Sequence, residues 1–320
     1  QQHTAGGHQP AAVLGLQVVQ PGAAAAGVVQ AQVVVPRTHR SGRAHPRLPE
    51  ARAEAAEVAE AMRALGHPVA LAPHLHDDDL KSALAAGEFD RMLALGGDGT
   101  MLRAGLLCAP YGVPVLGINL GHFGFLMEIQ REAWRERLPR LLAGDYWLEQ
   151  RLLLKVCQWR EGGCLGKWQV LNEVVVCRGQ YVRPLVLTAT VDGYLLAKYM
   201  ADGLIAATPT GSTAYSLAVG GPILPPEARN ILIIPIAPHM SINRGVVLPE
   251  GAHVSITTQS SHQAVLSVDG QPPIIVEEGD EVRVEAAPDP ALFVRFQDPG
   301  YFYRNLARYM EQNPWINPQA

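Results

Sequence analysis

The sequence predicts an α/β half built on a parallel sheet, then a mostly antiparallel β half, then a closing helix. Three observations carry this. Apolar runs alternate with helical stretches as far as about residue 150. Beyond it, short alternating apolar segments follow one another with few helical stretches. Helical spacing returns over residues 301–312, with Phe302, Leu306 and Met310 on one face. A chain of 320 residues, 48% hydrophobic and 18% charged, fits about two globular domains and buries a sizeable core without staples.

Residues 1–36 form a poorly specified segment whose one plausible strand, 28–35, is ended abruptly by Pro36. Residues 50–65 read as a helix: Ala, Glu and Arg dominate, Val58, Met62 and Leu65 are spaced along it, and Gly66 follows as a stop. Residues 68–72 look like a short strand. Residues 89–95 are another apolar run, with a turn signal directly after it. A helix over 101–108 and a strand over 114–118 follow. In the second half the apolar segments are 152–158, 171–177, 185–191, 194–198, 254–258, 264–268, 282–286 and 292–296. Asp192-Gly193, between two of them, is a strong two-residue hairpin signal.

A net charge of −4 offers no electrostatic footprint for DNA or RNA. The only lysines are Lys81, Lys155, Lys167 and Lys198, so phosphate binding falls to backbone amides, Arg, a metal or one of these. No apolar run reaches the roughly 18 residues that span a bilayer. The first 30 residues have no basic n-region and no initiating Met, and Pro21-Gly22 breaks their apolar run. The expectation is a disordered stretch on a cytoplasmic protein. Cys108, Cys157, Cys164 and Cys177 contain no C-x-x-C pair and are expected to be reduced thiols.

The sharpest local signal is Gly96-Gly97-Asp98-Gly99-Thr100, between an apolar strand and an amphipathic helix. Its glycines permit positive φ and close approach to a ligand. Consecutive amides there form an anion-binding nest, and the helix adds its positive end. Asp98 is the unusual part. A carboxylate among phosphate-binding amides is unfavourable unless it takes a proton from an attacking hydroxyl or helps hold a Mg²⁺ that bridges phosphates. The bland alternative is a strand-to-helix turn with Asp98 as an N-cap. No P-loop or G-x-G-x-x-G occurs.

A second constellation spans residues 202–222. A strand over 204–207 enters a turn dense in hydroxyls and then a short helix. Ser212 and Thr213 suit ribose and base edges, and Tyr215 offers a face for stacking on a purine. A capped helix start explains the same residues. Asn172 and Glu173 interrupt an otherwise apolar strand, which places them where that strand meets a site or simply at an exposed end.

Residues 96–100 (GGDGT), 118–126 (INLGHFGFL), Asn172-Glu173, 202–222 and 235–249 (PIAPHMSINRGVVLP) together resemble the NAD kinase family, in order, over residues 45–312. The GGDGT loop alone is shared with diacylglycerol and sphingosine kinases; the long 202–222 stretch points to the NAD kinase branch. The resemblance implies transfer of a phosphoryl group from ATP or polyphosphate to the 2′-hydroxyl of the adenosine ribose of NAD, forming NADP. It implies Asp98 as general base, with Gly97, Gly99 and Thr100 near the phosphates. Asn172 would bond adenine, Glu173 a ribose hydroxyl, and Asp202 would hold the nicotinamide end. Thr210, Thr213, Ala214 and Tyr215 would line the adenine and ribose pocket, Ala237 would close it, and Phe125 would wall the nicotinamide side. A divalent cation such as Mg²⁺ would accompany the donor, with no protein metal ligands assigned. Also implied are a homodimer or homotetramer and a β-rich NAD-binding domain over 150–298. The remaining α/β nucleotide domain, 37–149, would be completed by 299–320, the C-terminal helix packing back on it. Residues 1–45 do not match the family's usual opening.

Two rivals remain open on the residues. A lipid kinase would need an apolar cleft where Asp202 and Tyr215 stand. A pure NAD-binding module would gain nothing from Asp98. His74, His76 and Asp77-Asp78-Asp79 read as a solvated loop rather than a metal cluster. His122 and His239 lie within the motifs, without an assigned role.

Overall fold

The computed structural model describes residues 31–34, 48–72, 75, 78–121, 124–181, 183–239, 242–259 and 262–311, as backbone alone at 31–34, 48 and 307–311. The reading of residues 1–36 falls outside the described residues except for β1 (Ala31–Val34). Next come α1 (Leu48–Ala64), β2 (Val69–Ala72), α2 (Asp78–Ala85), β3 (Arg91–Gly96) and α3 (Asp98–Cys108). The unit continues with β4 (Val115–Asn119), β5 (Ile129–Gln130), α4 (Trp134–Ala143) and β6 (Trp147–Arg151). Helix α1 buries Ala51, Ala55, Val58 and Met62, one stripe at helical spacing. It ends as its sequence implies: Gly66 takes φ 85°, and the His67 N–H returns to the Met62 carbonyl at 3.0 Å.

The first sheet runs β2-β1-β3-β4, with β5 beside β4 and every pair parallel. Alternation along β3 sorts its two faces. Met92 and Ala94 pack with Leu80, Leu84, Met101, Ala104 and Cys108 of α2 and α3. Leu93 and Leu95 pack with Val58, Met62, Leu138 and Leu141 of α1 and α4. Burying each large side chain contributes about 1.5–3 kcal/mol, so both faces need their helices.

The second half contains β7 (Leu154–Arg160), β8 (Gly163–Val170), β9 (Glu173–Arg178), β10 (Leu185–Val191), β11 (Tyr194–Ala201), β12 (Gly203–Ala207) and the short α5 (Tyr215–Ala218). Then follow β13 (Asn230–Ile236), β14 (Val246–Pro249), β15 (Val254–Thr258), β16 (Ala264–Val268), β17 (Ile274–Val276) and β18 (Glu281–Ala286). These strands form two six-stranded antiparallel sheets, β11-β10-β15-β18-β7-β8 and β14-β13-β12-β9-β16-β17. Their inner faces share one core that includes Leu154, Leu187 and Ile256 from the first and Val176, Leu204 and Leu266 from the second. Asp192 and Gly193 both take positive φ, 51° and 83°, as a type I′ hairpin requires. The outer face of the β12 sheet is also covered: Val175, Ile205 and Leu232 pack with Val219 and Leu224. Hence β9 is apolar on both faces and its sequence does not alternate.

Two elements return to the first sheet. β19 (Ala291–Arg295) pairs parallel with β4 at Phe293↔Val115 and antiparallel with β6. α6 (Tyr301–Glu311) docks through Tyr301 on Glu149 and Arg151 of β6. The returning helix is as expected, but the placing of 292–296 among the antiparallel segments is corrected. A period of two assigns a strand its faces and leaves its sheet undetermined.

Two further corrections concern local readings. Asp78 and Asp79 are not a solvated loop but the acidic first turn of α2, where the helix dipole favours them; His74, His76 and Asp77 lie outside the described residues. Cys157 and Cys164 are not free thiols but form a disulfide across the β7–β8 hairpin, their Cα atoms 6.3 Å apart. The hairpin brings the two together after seven residues, a spacing that carries no motif. Cys108 and Cys177 stay reduced, burial pushing the Cys108 thiol up to about 12.

Candidate active site

Strand β3 ends at Gly96 because nothing larger fits: a Cβ there would stand 2.4 Å from Thr100 Oγ1. Gly97, extended at φ −128°, caps α3, and its carbonyl accepts the Thr100 and Met101 N–H groups at 2.8 and 3.1 Å. Asp98 is therefore the first helical residue, not the cap, and its side chain makes no capping bond. Nor do all three glycines supply positive φ, since Gly99 lies in the first turn. What Gly97 and Gly99 supply is access: a Cβ at either would meet no atom of the chain within 4 Å. First-turn amides, a positive helix end and unshielded backbone are the features that suit an anionic ligand.

The Asp98 carboxyl turns toward the segment after β4. Oδ2 accepts the Phe125 N–H at 2.8 Å and Oδ1 the Leu126 N–H at 3.0 Å. Gly124 permits this packing, because a Cβ there would lie 2.2 Å from Oδ1. Burial raises the Asp98 pKa above its ordinary value; the two N–H groups, then Arg295 and Arg151, oppose the rise. The result is an anchored carboxylate with raised proton affinity, the property a general base needs.

In the second half, Asp269 gathers the backbone around Asn172. Its Oδ2 accepts the Leu171 N–H at 2.8 Å, and its Oδ1 accepts those of Asn172 and Glu173 at 2.9 and 3.0 Å. The turn after β12 lies against the same stretch. The Thr208 N–H donates to the Asn172 carbonyl at 2.9 Å, and a Cβ at Gly211 would stand 2.1 Å from that oxygen. Thr210 is buried and its hydroxyl accepts from Arg151 Nη1 at 3.0 Å; the Thr213 hydroxyl donates to the Thr210 carbonyl at 3.1 Å. Both side chains are thus held within the fold. Ser212 is not a ribose-facing hydroxyl: it is fully buried, donates to Pro209 and accepts from Leu224.

Tyr215 is 44% exposed, and the charges of Asp202, Arg178 and Glu173 act on its hydroxyl, so these groups share one neighbourhood. Asp202 pairs with Arg178 at 3.1 Å. Ala214 sits half-buried between Thr213 and Tyr215, while Ala237 is exposed at φ 44°, a left-handed conformation uncommon for a residue with a Cβ. The structure therefore assembles Asn172, Glu173, Thr210 and Tyr215 around one turn, with Asp98 and Phe125 on the adjoining unit. Sequence reading missed Asp269, Gly124, Gly211, Arg151 and Arg295. Of these, only Gly124 and Gly211 lay inside motifs already singled out. His239 is exposed, and its backbone N–H donates to the Met200 carbonyl at 2.7 Å; His122 lies outside the described residues.

Among the described residues no three His, Cys, Asp or Glu side chains converge as a metal site, and no helix is long and apolar enough to cross a membrane. The ATP-NAD kinase N-terminal domain matches residues 32–146 and the ATP-NAD kinase C-terminal domain residues 171–296. The match takes in β1, so the resemblance starts earlier than the residue 45 read from the motifs. The NAD kinase of Symbiobacterium thermophilum is 41% identical over 79% of this chain and 91% of its own. That of Chloroflexus aggregans is 42% identical over 70% and 81%. Among solved structures, an NAD kinase from Archaeoglobus fulgidus in complex with ATP aligns at a TM-score of 0.67 and 25% identity, over 89% of this chain and 100% of that one. Yeast NADH kinase complexed with NADH shares the fold at a TM-score of 0.77 and 24% identity, over 89% and 88%. A strand-to-helix glycine loop with an anchored acid, a polar turn beside it, and both halves matched in order lead to one conclusion: the chain belongs to the NAD kinase family, enzymes that phosphorylate NAD to NADP.

Proposed function

We propose that Asp98 is the general base of this phosphoryl transfer. The observation that carries the reading is its anchored carboxyl at the start of α3, beside backbone left open at Gly97 and Gly99. The donor polyphosphate lies along Gly97, Gly99 and Thr100. As the 2′-oxygen of the adenosine ribose attacks the terminal phosphorus, its proton passes to Asp98. The new O–P bond forms as the bond to the leaving ADP, or to the shortened polyphosphate, breaks. Rate comes mainly from positioning and charge neutralisation. A divalent cation such as Mg²⁺ arrives on the donor, as part of that substrate.

For NAD, Asn172 reads adenine and Glu173 a ribose hydroxyl. Tyr215 stacks on the base, Ala214 and Ala237 shape the pocket, and Asp202 and Phe125 meet the nicotinamide side. Thr210 and Thr213, with hydroxyls already engaged, contribute shape and backbone. We read the chain as two units, 37–149 and 150–298. The shared sheet supports a return to the first unit that begins at β19, ahead of residue 299. A homodimer or homotetramer is favoured by Tyr194, Leu195 and Met200, exposed apolar residues on the edge strand β11. A cytoplasmic enzyme fits the absence of a membrane-crossing helix among the described residues.

The test is direct. Purified protein with NAD, ATP and Mg²⁺ is expected to form NADP, read with an NADP-specific dehydrogenase, and to stop when EDTA is added. Polyphosphate in place of ATP reports donor range. NAD binding without NADP from either donor would replace this reading with a binding module.

A further inference from the structure

Behind Asp98 lies a buried ionic cluster that no step above uses. Arg295 Nε donates to Glu149 Oε2 at 2.8 Å, and Arg151 Nη2 lies 2.8 Å from the same oxygen. The Tyr301 hydroxyl donates to Glu149 Oε1 at 2.9 Å and accepts from Arg151 Nη2 at 3.0 Å. Arg295 is 0% exposed, Glu149 2%, Arg151 3% and Tyr301 2%. Burial alone would raise the Glu149 carboxyl, but Arg151 and Arg295 hold it at about 2, so it stays charged. Desolvation offsets most of the attraction between buried ions. Such a cluster is a weak source of stability and a strong source of fixed geometry.

Its outer donors reach both halves of the site. Arg295 Nη1 donates to the Leu126 carbonyl at 3.0 Å, and Leu126 supplies one of the two N–H groups that hold Asp98. Arg295 Nη1 also meets Glu128 Oε2 at 3.3 Å, while Glu128 Oε1 accepts the N–H groups of Phe296 and Gln297. Arg151 Nη1 donates to Thr210 Oγ1 at 3.0 Å. One carboxylate, Glu149, therefore braces two guanidinium forks, one pinning the Asp98 segment and the other the Thr210 turn.

We propose that Arg295 and Arg151 are positioning residues, and that the cluster centred on Glu149 fixes Asp98 relative to the Thr210 turn so that the attacking hydroxyl stays in line with its proton acceptor. The inference rests on Asp98 being the base. Separate substitutions separate the two arms. Arg295→Gln removes charge and fork together. It is expected to lower kcat about 100-fold, leave the NAD KM within about twofold, and move the acid limb of kcat/KM to higher pH. The sign follows because losing a nearby cation makes Asp98 easier to protonate, and the base works only when deprotonated. Arg295→Lys restores the charge as a point, without the fork. It is expected to bring the acid limb back while kcat stays at least about 10-fold low. Arg151→Lys is expected to raise the NAD KM more than it lowers kcat.

Full recovery of kcat in Arg295→Lys, or a fall that only tracks the folded fraction, would overturn the proposal. If the Arg295 variants do not fold, Tyr301→Phe carries the test: it keeps the ring and removes one hydroxyl. A kcat about 3–10-fold low at unchanged NAD KM supports the brace, and wild-type kcat overturns it. Asp98→Asn, run in parallel, keeps the two readings apart. Turnover in that variant removes the base and the proposal with it, whereas an inactive Asp98→Asn beside fully active Arg295 variants removes the brace alone.

Discussion

Two aspartates in this molecule are held in the same way and stand in different surroundings. Asp98 and Asp269 each receive backbone N–H groups from a segment distant in sequence, and burial raises the pKa of both. Asp269 takes three donors, and only those N–H groups counter its burial. Asp98 takes two, has Arg295 and Arg151 acting on it, and stands in the chain between Gly97 and Gly99, where an added Cβ would meet nothing within 4 Å. A carboxylate that gathers three backbone amides fastens a turn. One whose proton affinity is raised, with two cations acting on it and glycine backbone on either side, is equipped for the proton transfer proposed for Asp98. Anchoring is common to both; the cations and the glycine backbone around Asp98 set it apart.

The largest expected effect comes from removing the proton acceptor. Asp98→Asn should lower kcat about 10²–10⁴-fold with NAD affinity nearly intact, as steady-state kinetics beside equilibrium binding would show. Near-normal turnover would erase the contrast between the aspartates. Next is the anchor. Gly124→Ala puts a Cβ into the Asp98 carboxyl and should cost about 100-fold in kcat, again with NAD still bound. An unaffected kcat would mean that the 124–126 segment yields freely. The pH profile sharpens the same point. Because the Asp98 pKa is raised, activity should fall away with acid above the ordinary carboxylate range of about 3.9, and that limb should persist in Asp269→Ala. Asp269→Ala strands three N–H groups. It should lower unfolding stability by about 1–3 kcal/mol in a denaturant melt and weaken NAD binding more than kcat. The smallest effect is Tyr215→Ala, about 1–2 kcal/mol of NAD binding by calorimetry if the ring stacks on adenine. An unchanged Kd would show that this 44% exposed ring stands off the ligand.

Which parts of the site were legible follows from what each contact is made of. The GGDGT turn announces itself because glycines and an acid between a strand and a helix are rare side-chain choices. Asn172-Glu173 stood out as polar residues in an apolar run. Asp269 and Gly211 did not, although they shape the same turn: their partners are backbone atoms, and every residue has a backbone. Arg295 and Glu149 were equally silent, because each reads as an ordinary charged residue in a strand until burial brings them together.

By itself the sequence determined the alternation of strands and helices to about residue 150, the change to antiparallel strands, the two-residue hairpin at Asp192-Gly193 and the glycine turn that carries Asp98 between a strand and a helix. These are local matters of period, propensity and backbone freedom. The tertiary structure alone decided that β19 joins the first sheet, that Cys157 meets Cys164, and that the Asp98 carboxyl is held from 27 and 28 residues away. Those outcomes depend on which surfaces are buried against which. A hydrophobic pattern specifies that a face must be covered and leaves open what covers it.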